Sequence, residues 1–146
     1  MSIPFYSIRS IVEEKISSYL SDNITGVTVH KGITDEVRVL PLIITYAEGA
    51  KGVDSLGSHP LGNFVISLKV YVYSSADDET LDTHRERVQT VINLMEEIEA
   101  IQALWNPTTD GILYDLWIAS DEEGMHQRRY GNVLEFNVWG VVPTAP

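Results

Sequence analysis

The sequence contains no cysteine, so disulfide bonds, thiolate zinc sites, iron–sulfur clusters and cysteine nucleophiles are excluded. Positive charge is also scarce, because 10 lysines and arginines stand against 21 acidic residues, which leaves a net charge of −11. Proteins that grip nucleic acid regardless of its sequence use clustered lysine and arginine, and this charge balance disfavours such a grip. DNA could pass close to the protein, but we do not expect it to be bound tightly.

Long apolar runs are missing as well. No stretch approaches the roughly 18 apolar residues of a membrane span, and residues 1–15 lack the basic and then continuously apolar pattern of an export signal. We therefore expect a soluble, unexported protein with no membrane partner. A chain of 146 residues is close to the commonest size of one domain, so residues 1–146 are predicted to form a single domain.

The clearest local pattern is the alternation over residues 64–73, FVISLKVYVY, which predicts a β-strand with two different faces. The face predicted to meet the core is wholly apolar: Phe64, Ile66, Leu68, Val70 and Val72. The other face is mixed: Val65, Ser67, Lys69, Tyr71 and Tyr73. A helix pattern over residues 80–104 follows, with Ser74 or Ser75 as the expected N-cap and with His84 or Arg85 in its buried stripe.

Weaker patterns predict the other elements. A helix over residues 8–20 is expected to begin at Ser10, or one turn earlier at Ser7, and short strands are expected at 27–30 and 41–46. Alternations at 112–119 and 133–141 predict a C-terminal hairpin with a charged connector at 121–131, and 143–146 are expected to form a tail. The residues expected on the core side of the first hairpin strand are Ile112, Tyr114, Leu116 and Ile118.

This order of elements predicts an α+β fold, with two helices packed on one face of a mainly antiparallel sheet of about five strands. A glycine-rich loop is expected at residues 47–63, before the central strand. It is either a floppy excursion or an arm that orders against a neighbouring subunit, with Val53, Leu56 and Leu61 as anchors. Its glycine spacing matches neither a dinucleotide fingerprint nor a P-loop.

The sheet face away from the helices is the predicted interaction surface. It is expected to present aromatic side chains among polar ones, a mixture typical of interfaces, and its named members are Lys69, Tyr71, Tyr73, Trp117 and Trp139. The alternatives are that these aromatics are scattered surface residues or are covered by the long loop. Arg128 and Arg129, at the hairpin tip, either pair with carboxylates of a neighbour or remain solvated.

Candidate chemical sites are weak. Asp82 and His84 point in different directions on a helix, which is wrong for a shared metal, and His84 is expected to be structural. The acidic groups at 96–99 and 121–123 match no metal-binding spacing, and Ser58 beside His59 lacks the surroundings of a nucleophile elbow. We therefore predict no catalytic residues, no cofactor and no metal, and a protein that is not an enzyme.

Several features together resemble the tail terminator, or tail completion, proteins of tailed bacteriophages. They are the glycine-rich insertion before the central strand, the long helix containing RERVQTVINLMEEI (85–98) and the terminal hairpin closing on RRYGNVLEFNVWGVV (128–142). The likeness covers nearly the whole chain and rests on the layout of elements rather than on an invariant motif.

The resemblance implies a structural subunit of the virion tail or neck, assembled in the host cytoplasm. Its expected partners are copies of itself in a hexameric ring, the tail-tube protein whose polymerisation it stops, and a head-completion or neck protein. Two alternatives remain: another phage neck or baseplate connector, or a ferredoxin-like domain that binds a small ligand as a dimer.

Overall fold

Five strands and three helices make up the part of the chain that the computed structural model describes, residues 5–33, 39–52 and 63–142. In chain order they are α1 (Phe5–Asn23), β1 (Thr28–Lys31), β2 (Leu42–Gly52), β3 (Asn63–Ser75), α2 (Leu81–Met95), α3 (Ile98–Gln102), β4 (Ile112–His126) and β5 (Arg129–Val141). The strands form one sheet in the order β1-β2-β3-β5-β4. Only the β1–β2 pair within these residues is parallel.

The core lies between the helices and one face of the sheet. The alternating residues of β3 that were predicted to face the core are all buried: Phe64, Ile66, Leu68, Val70 and Val72. The helices cover them with apolar stripes, formed in α1 by Ile8, Val12, Ile16, Tyr19 and Leu20 and in α2 by Val88, Val91 and Met95. Each such aliphatic side chain stabilises the fold by about 1.5–3 kcal/mol. The predicted α+β class and the helices on one face of the sheet are confirmed.

The long helix predicted over 80–104 is two helices. Backbone hydrogen bonding tightens at the end of α2, where the Glu97 amide donates to the Leu94 carbonyl at 3.2 Å, and Glu97 leaves the helical conformation. The Tyr19 hydroxyl of α1 donates to that same carbonyl at 2.9 Å. Burial and the neighbouring Glu97 carboxylate raise the pKa of Tyr19 to about 12, so the hydroxyl keeps its proton.

The predicted N-cap residues of both helices were wrong. Thr80 caps α2 by accepting a hydrogen bond from the Thr83 amide at 3.1 Å, whereas Ser74 continues β3 and is buried. Helix α1 already contains Ser7 and Ser10, since it begins by Phe5. A serine followed three residues later by an acidic residue resembles a helix N-cap in the sequence. Ser74 instead pairs with Tyr130 in the sheet, and this pairing keeps it in β3.

The loop predicted at 47–63 was too long at both ends. Strand β2 continues to Gly52, and β3 begins at Asn63. The apolar pattern fades after Tyr46, but the backbone pairing continues as far as Gly52 opposite Phe64. Val53, Leu56 and Leu61, the proposed anchors of an arm, lie outside the described residues.

Strand β4 departs from simple alternation. Its register against β5 shifts between Leu113 and Asp115 and again between Ile118 and Ser120. Each bulge adds one residue and moves the side chains that follow to the other face. Leu113 and Leu116 are therefore the buried residues of this segment, and Ile112 and Tyr114, which the alternation placed in the core, are exposed. Ile118 keeps the predicted side of the sheet, since it pairs with the buried Phe136, but it is 38% exposed.

Asp110 ties the turn before β4 to α1. Its carboxylate accepts from the Asn106 amide at 3.0 Å and lies 3.1 Å from the Lys15 ammonium group. Burial opposes ionisation, but the hydrogen bond from Asn106 and the Lys15 charge outweigh it and lower the pKa of Asp110. The negative charge therefore stabilises the native state.

We expect Asp110→Asn to lower the free energy of unfolding by about 0.5–1 kcal/mol at pH 7. A depressed native pKa contributes stability above the unfolded value, about 3.9, and that contribution disappears as the pH falls through the native value. Urea unfolding at pH 7 and at pH 3 measures both quantities, and the difference between the proteins should shrink at pH 3. A loss that is the same at both pH values would show that the charge is not the cause.

Candidate interaction surface

The predicted interface residues on the strands all lie on the sheet face away from the helices, called here the far face. Cross-strand partners share a face, and the register pairs Lys69 with Glu135, Tyr71 with Val133 and Tyr73 with Gly131. The same register places Trp139 opposite Val65 and Trp117 opposite Asn137. The register therefore places all five residues on the sheet face that the sequence predicted for them.

The far face is divided into two aromatic clusters. Near the hairpin tip, the rings of Tyr71 and Tyr73 stack with centroids 6.2 Å apart. Burial raises the pKa of both phenols, opposed at Tyr71 by Lys69 and at Tyr73 by Arg129. Tyr73 also lines an open groove of about 470 Å³ together with the tip residues Met125 and Arg129. Both phenols are hydrogen-bond donors at neutral pH.

The second cluster lies at the opposite end of β5. Tyr114, turned outward by the first β4 bulge, packs on Trp139 with ring centroids 4.9 Å apart. Trp139 is half-buried, and its Nε1 atom is buried without a hydrogen-bond partner. Trp117, by contrast, is 43% exposed. The two tryptophans are thus not equivalent: one packs within the chain and the other is open to solvent.

Polar side chains separate the two clusters. Lys69 and Glu48 form an ion pair at 2.6 Å, and the Ser67 hydroxyl donates to Glu135 at 3.1 Å. The hydrogen bond with Glu48 is the main reason that the pKa of Lys69 is raised. Lys69 is therefore already paired within the chain, and its charge is not free to select a partner by itself.

The hairpin tip presents Arg128 to solvent. Gln127 and Arg128 have φ values of 49° and 61°, as expected for the two central residues of a type I′ turn. The Arg128 guanidinium is 80% exposed and lies 3.8 Å from Asp77, while Arg129 donates to Gln127 at 3.0 Å. An ion pair this exposed contributes little to stability, so Arg128 remains available to a carboxylate on another molecule.

A buried polar network centres on His84, in agreement with the structural role expected for it. His84 is 0% exposed, its Nδ1 lies 2.7 Å from the Ser74 hydroxyl, and its Nε2 lies 2.6 Å from Asn132 Oδ1. Asn132 in turn donates to the Asp121 carboxylate at 2.7 Å. The sequence shows none of these partners, because they come from β3, β4 and β5.

The hydrogen bonds specify one tautomer of His84. A carboxylate only accepts, so Asp121 holds the Asn132 amide with its NH₂ outward and its oxygen toward the histidine. His84 Nε2 must then donate, and Nδ1 accepts from the Ser74 hydroxyl. The Ser74 oxygen accepts in turn from Arg87 at 2.6 Å, and Arg87 also pairs with Glu79 at 2.7 Å.

Serine, histidine and asparagine side chains in contact are the residue types of a nucleophilic catalytic site, but here all three are buried. Ser74 and His84 are 0% exposed and Asn132 is 2% exposed, so no substrate reaches them. Among the described residues, no cluster of three or more histidine and acidic side chains is arranged to hold a metal ion. Nor does any described helix have the length and apolar character needed to cross a membrane.

Neither protein-family models nor curated proteins match this chain. Among solved structures, a chain of the "Virion of native gene transfer agent (GTA) particle" superimposes with a TM-score of 0.51. This chain shares its fold with a virion protein. The match covers 92% of this chain and 93% of that one at 10% sequence identity, so it concerns the architecture and not the side chains. The similarity therefore extends over nearly the whole of both chains and not over one part of the fold.

Replacing each tryptophan separately should distinguish their roles. We expect Trp117→Ser to change the free energy of unfolding by no more than about 0.5 kcal/mol, whereas Trp139→Ser should lower it by about 2–3 kcal/mol because Tyr114 loses its packing partner. Denaturant unfolding of the two variants under the same conditions measures the difference. Equal losses would mean that Trp117 is covered in solution or that Trp139 contributes less than its packing indicates.

Proposed function

We propose that this chain is a tail terminator subunit, a structural protein that forms a ring on the end of a tail tube. The ring stops polymerisation of the tube and presents its other side to a head-completion or neck protein. The observation that carries the proposal is the fold shared, over nearly the full length of both chains, with a protein of a gene transfer agent virion, a phage-like particle. The layout of the sequence, which resembles tail terminators, supports the same position.

The surfaces of the chain suit a ring subunit. The far face has aromatic side chains among polar ones, and the residues that hold the fold together lie on the helix side. The net charge of −11 would let DNA pass through a ring without being held. The groove beside Tyr73 and the exposed Arg128 are candidate contacts for the partners above and below the ring.

A second position in the virion is also supported. The structural match names a whole virion and not one of its parts, so another neck or baseplate connector with this fold remains the alternative. Such a connector would also form a ring and would also exclude an enzymatic role. The two positions differ in the partner, since only a terminator binds the growing end of the tail tube.

The test combines the purified chain with tail-tube protein during tube polymerisation. We expect a ring of about six copies by light scattering, capped tubes by electron microscopy, and tails of uncontrolled length in particles made without the gene. A stable monomer with no affinity for tube protein would overturn the proposal. Tails of normal length that lack heads, in the absence of the gene, would instead support the connector.

A further inference from the structure

The open groove at the hairpin tip runs along the strands of the far face. The register orders its lining on β4 and β5 in three levels: Glu122 opposite Val133, Gly124 opposite Gly131, and His126 opposite Arg129. Tyr73 of β3 lies beside the middle level, because it pairs with Gly131. The middle of the groove therefore has two glycines side by side, and its floor there is backbone without side chains.

Gly124 has no reason within the chain to be glycine. Its φ lies outside the left-handed region, and a Cβ built on it would meet nothing within 4 Å. At Gly131, by contrast, a Cβ would lie 3.2 Å from two atoms of the Tyr73 ring. A glycine inside a strand weakens the strand, and it often marks a place where a ligand or another backbone approaches closely. The open space over Gly124 is therefore a place prepared for a group from outside the chain.

The side chains around this space suit an aromatic ring. Tyr73 offers its own ring, Met125 its thioether and Arg129 its guanidinium group, and each of these packs favourably on an aromatic ring. Met125 is 63% exposed beside the groove, so its thioether is accessible. An aliphatic side chain would gain the apolar contact alone. The flat floor and the three groups together favour an aromatic occupant.

The two ends of the groove carry opposite charges. Glu122, at one end, is exposed and forms no ion pair with any residue that the structure describes. Arg129, at the other end, donates to the uncharged side chain of Gln127 at 3.0 Å, so its charge is not compensated there. Four residues of β4 separate the two levels, which places them about 13 Å apart.

The other charged side chains of the tip do not change this pattern. Glu123 lines the groove but pairs with Arg85 at 2.7 Å. Asp121 is hydrogen-bonded to Asn132 on the helix side of the sheet. Three more lie in the adjoining turns and do not line the groove: Asp77, Asp78 and Arg128. A bound segment therefore meets a carboxylate at one end and a guanidinium group at the other.

We propose that this groove binds an extended segment of another protein with the pattern basic-x-aromatic-x-acidic. Alternate residues of an extended segment share a face and lie about 6.6 Å apart, so the first and fifth residues are about 13 Å apart. The basic residue pairs with Glu122, the ring lies over Gly124, and the acidic residue pairs with Arg129. No stretch of the 146 residues has this pattern in either direction, so the segment belongs to a different protein. The inference rests on the proposed function for the presence of a second virion protein, and it names the chemistry of that protein's contact.

Methyl NMR of the whole chain with labelled methionine tests the groove without tail proteins. The probe is the capped peptide Lys-Ser-Trp-Ser-Asp. The Met125 signal reports on the groove, and Met95, 1% exposed in the core, is the internal reference in the same spectrum. Two comparison peptides separate the contributions: one has leucine in place of tryptophan, and the other has lysine and aspartate exchanged.

We expect the probe to shift the Met125 signal in a saturable way and to leave the Met95 signal in place. Each comparison peptide should bind about tenfold more weakly, because one lacks the ring contacts and the other meets like charges at both ends. An unmoved Met125 signal, or equal binding of all three peptides, would overturn the proposal.

Variants of the chain test the same site from the other side. Gly124→Val fills the open space and should abolish binding while keeping the fold, since a Cβ there meets nothing within 4 Å. Ala119→Val is the matched control, because it adds the same bulk to an exposed position of β4 outside the groove and should bind like the wild type. Arg129→Gln should remove the preference for aspartate over asparagine in the probe. Full binding by folded Gly124→Val would contradict the proposed position of the ring.

Tube-capping assays on the wild type separate this inference from the proposed function. A protein that binds the probe but neither forms a ring nor caps tubes retains the groove and removes the terminator role. A protein that caps tubes but does not bind the probe retains the terminator role and removes the groove as a binding site.

Discussion

Replacing His84 by leucine is expected to lower the free energy of unfolding by about 2–4 kcal/mol, although leucine fills a similar volume. The loss comes from two groups left in the core without partners. Asn132 Oδ1 loses the Nε2 donor that lies 2.6 Å away, and the Ser74 hydroxyl loses the Nδ1 acceptor at 2.7 Å. A buried donor or acceptor that is left unsatisfied costs about 1–3 kcal/mol. Urea unfolding followed by circular dichroism measures the change.

His126→Leu is the matched control, because His126 is exposed near the hairpin tip and should change stability by less than about 0.5 kcal/mol. Adding Asn132→Leu to His84→Leu should recover part of the loss, since removing both partners leaves fewer orphaned groups. The Asp121 carboxylate released by that change is exposed and can bind water. A His84→Leu protein as stable as the His126→Leu control would show that the network contributes nothing.

Replacing Gly140 by alanine is expected to destabilise the chain by about 2–3 kcal/mol. A Cβ at this position would lie 2.5 Å from the Ile112 carbonyl oxygen and 2.9 Å from the Phe64 ring. The first contact is with backbone, so relief requires β4 to move away from β5 at the start of the strand. Phe64 lies directly opposite Gly140 in the β3–β5 pair and packs over the glycine. Denaturant unfolding reports the loss.

Gly124→Ala provides the comparison within the same hairpin. A Cβ there meets nothing within 4 Å, and its backbone is not in the left-handed region, so stability should stay within about 0.5 kcal/mol of the wild type or rise slightly. The expected contrast therefore comes from the neighbours of the two glycines and not from glycine itself. If both alanine variants lose the same stability, the close approach at Gly140 is not the cause.

Local periodicity predicted the faces of β3 and β5 correctly. An unbulged strand alternates strictly, and residues 63–75 pair with 129–141 without a shift, so the apolar members reach the core and Lys69, Tyr71 and Trp139 reach the far face. The same reasoning failed at the start of β4, for Ile112, Leu113 and Tyr114. Each of its two bulges shifts the alternation by one residue. At the first bulge, Gln102 donates to the Tyr114 carbonyl and the Leu116 amide donates to Asp115. Periodicity shows neither contact.

The predicted helix over 80–104 shows the same limit. Its apolar stripe continues through the break after Met95, but Tyr19, which binds the Leu94 carbonyl, is 75 residues away in the chain. Trp117 and Trp139 were similar as sequence features and were both placed on the far face. Their unequal exposure depends on Tyr114, which reaches Trp139 only because of the first bulge.

The sequence by itself determined the acidic charge, the α+β class, the core face of β3 and the hairpin, because composition and short-range periodicity are properties of neighbouring residues. Only the tertiary structure decided the partners of His84 and the exposure of the β4 residues. Those features depend on strands and helices that are distant in sequence, such as His84 and Asn132, 48 residues apart. Contacts of that range leave no periodic signal, since each arises from the packing of whole elements.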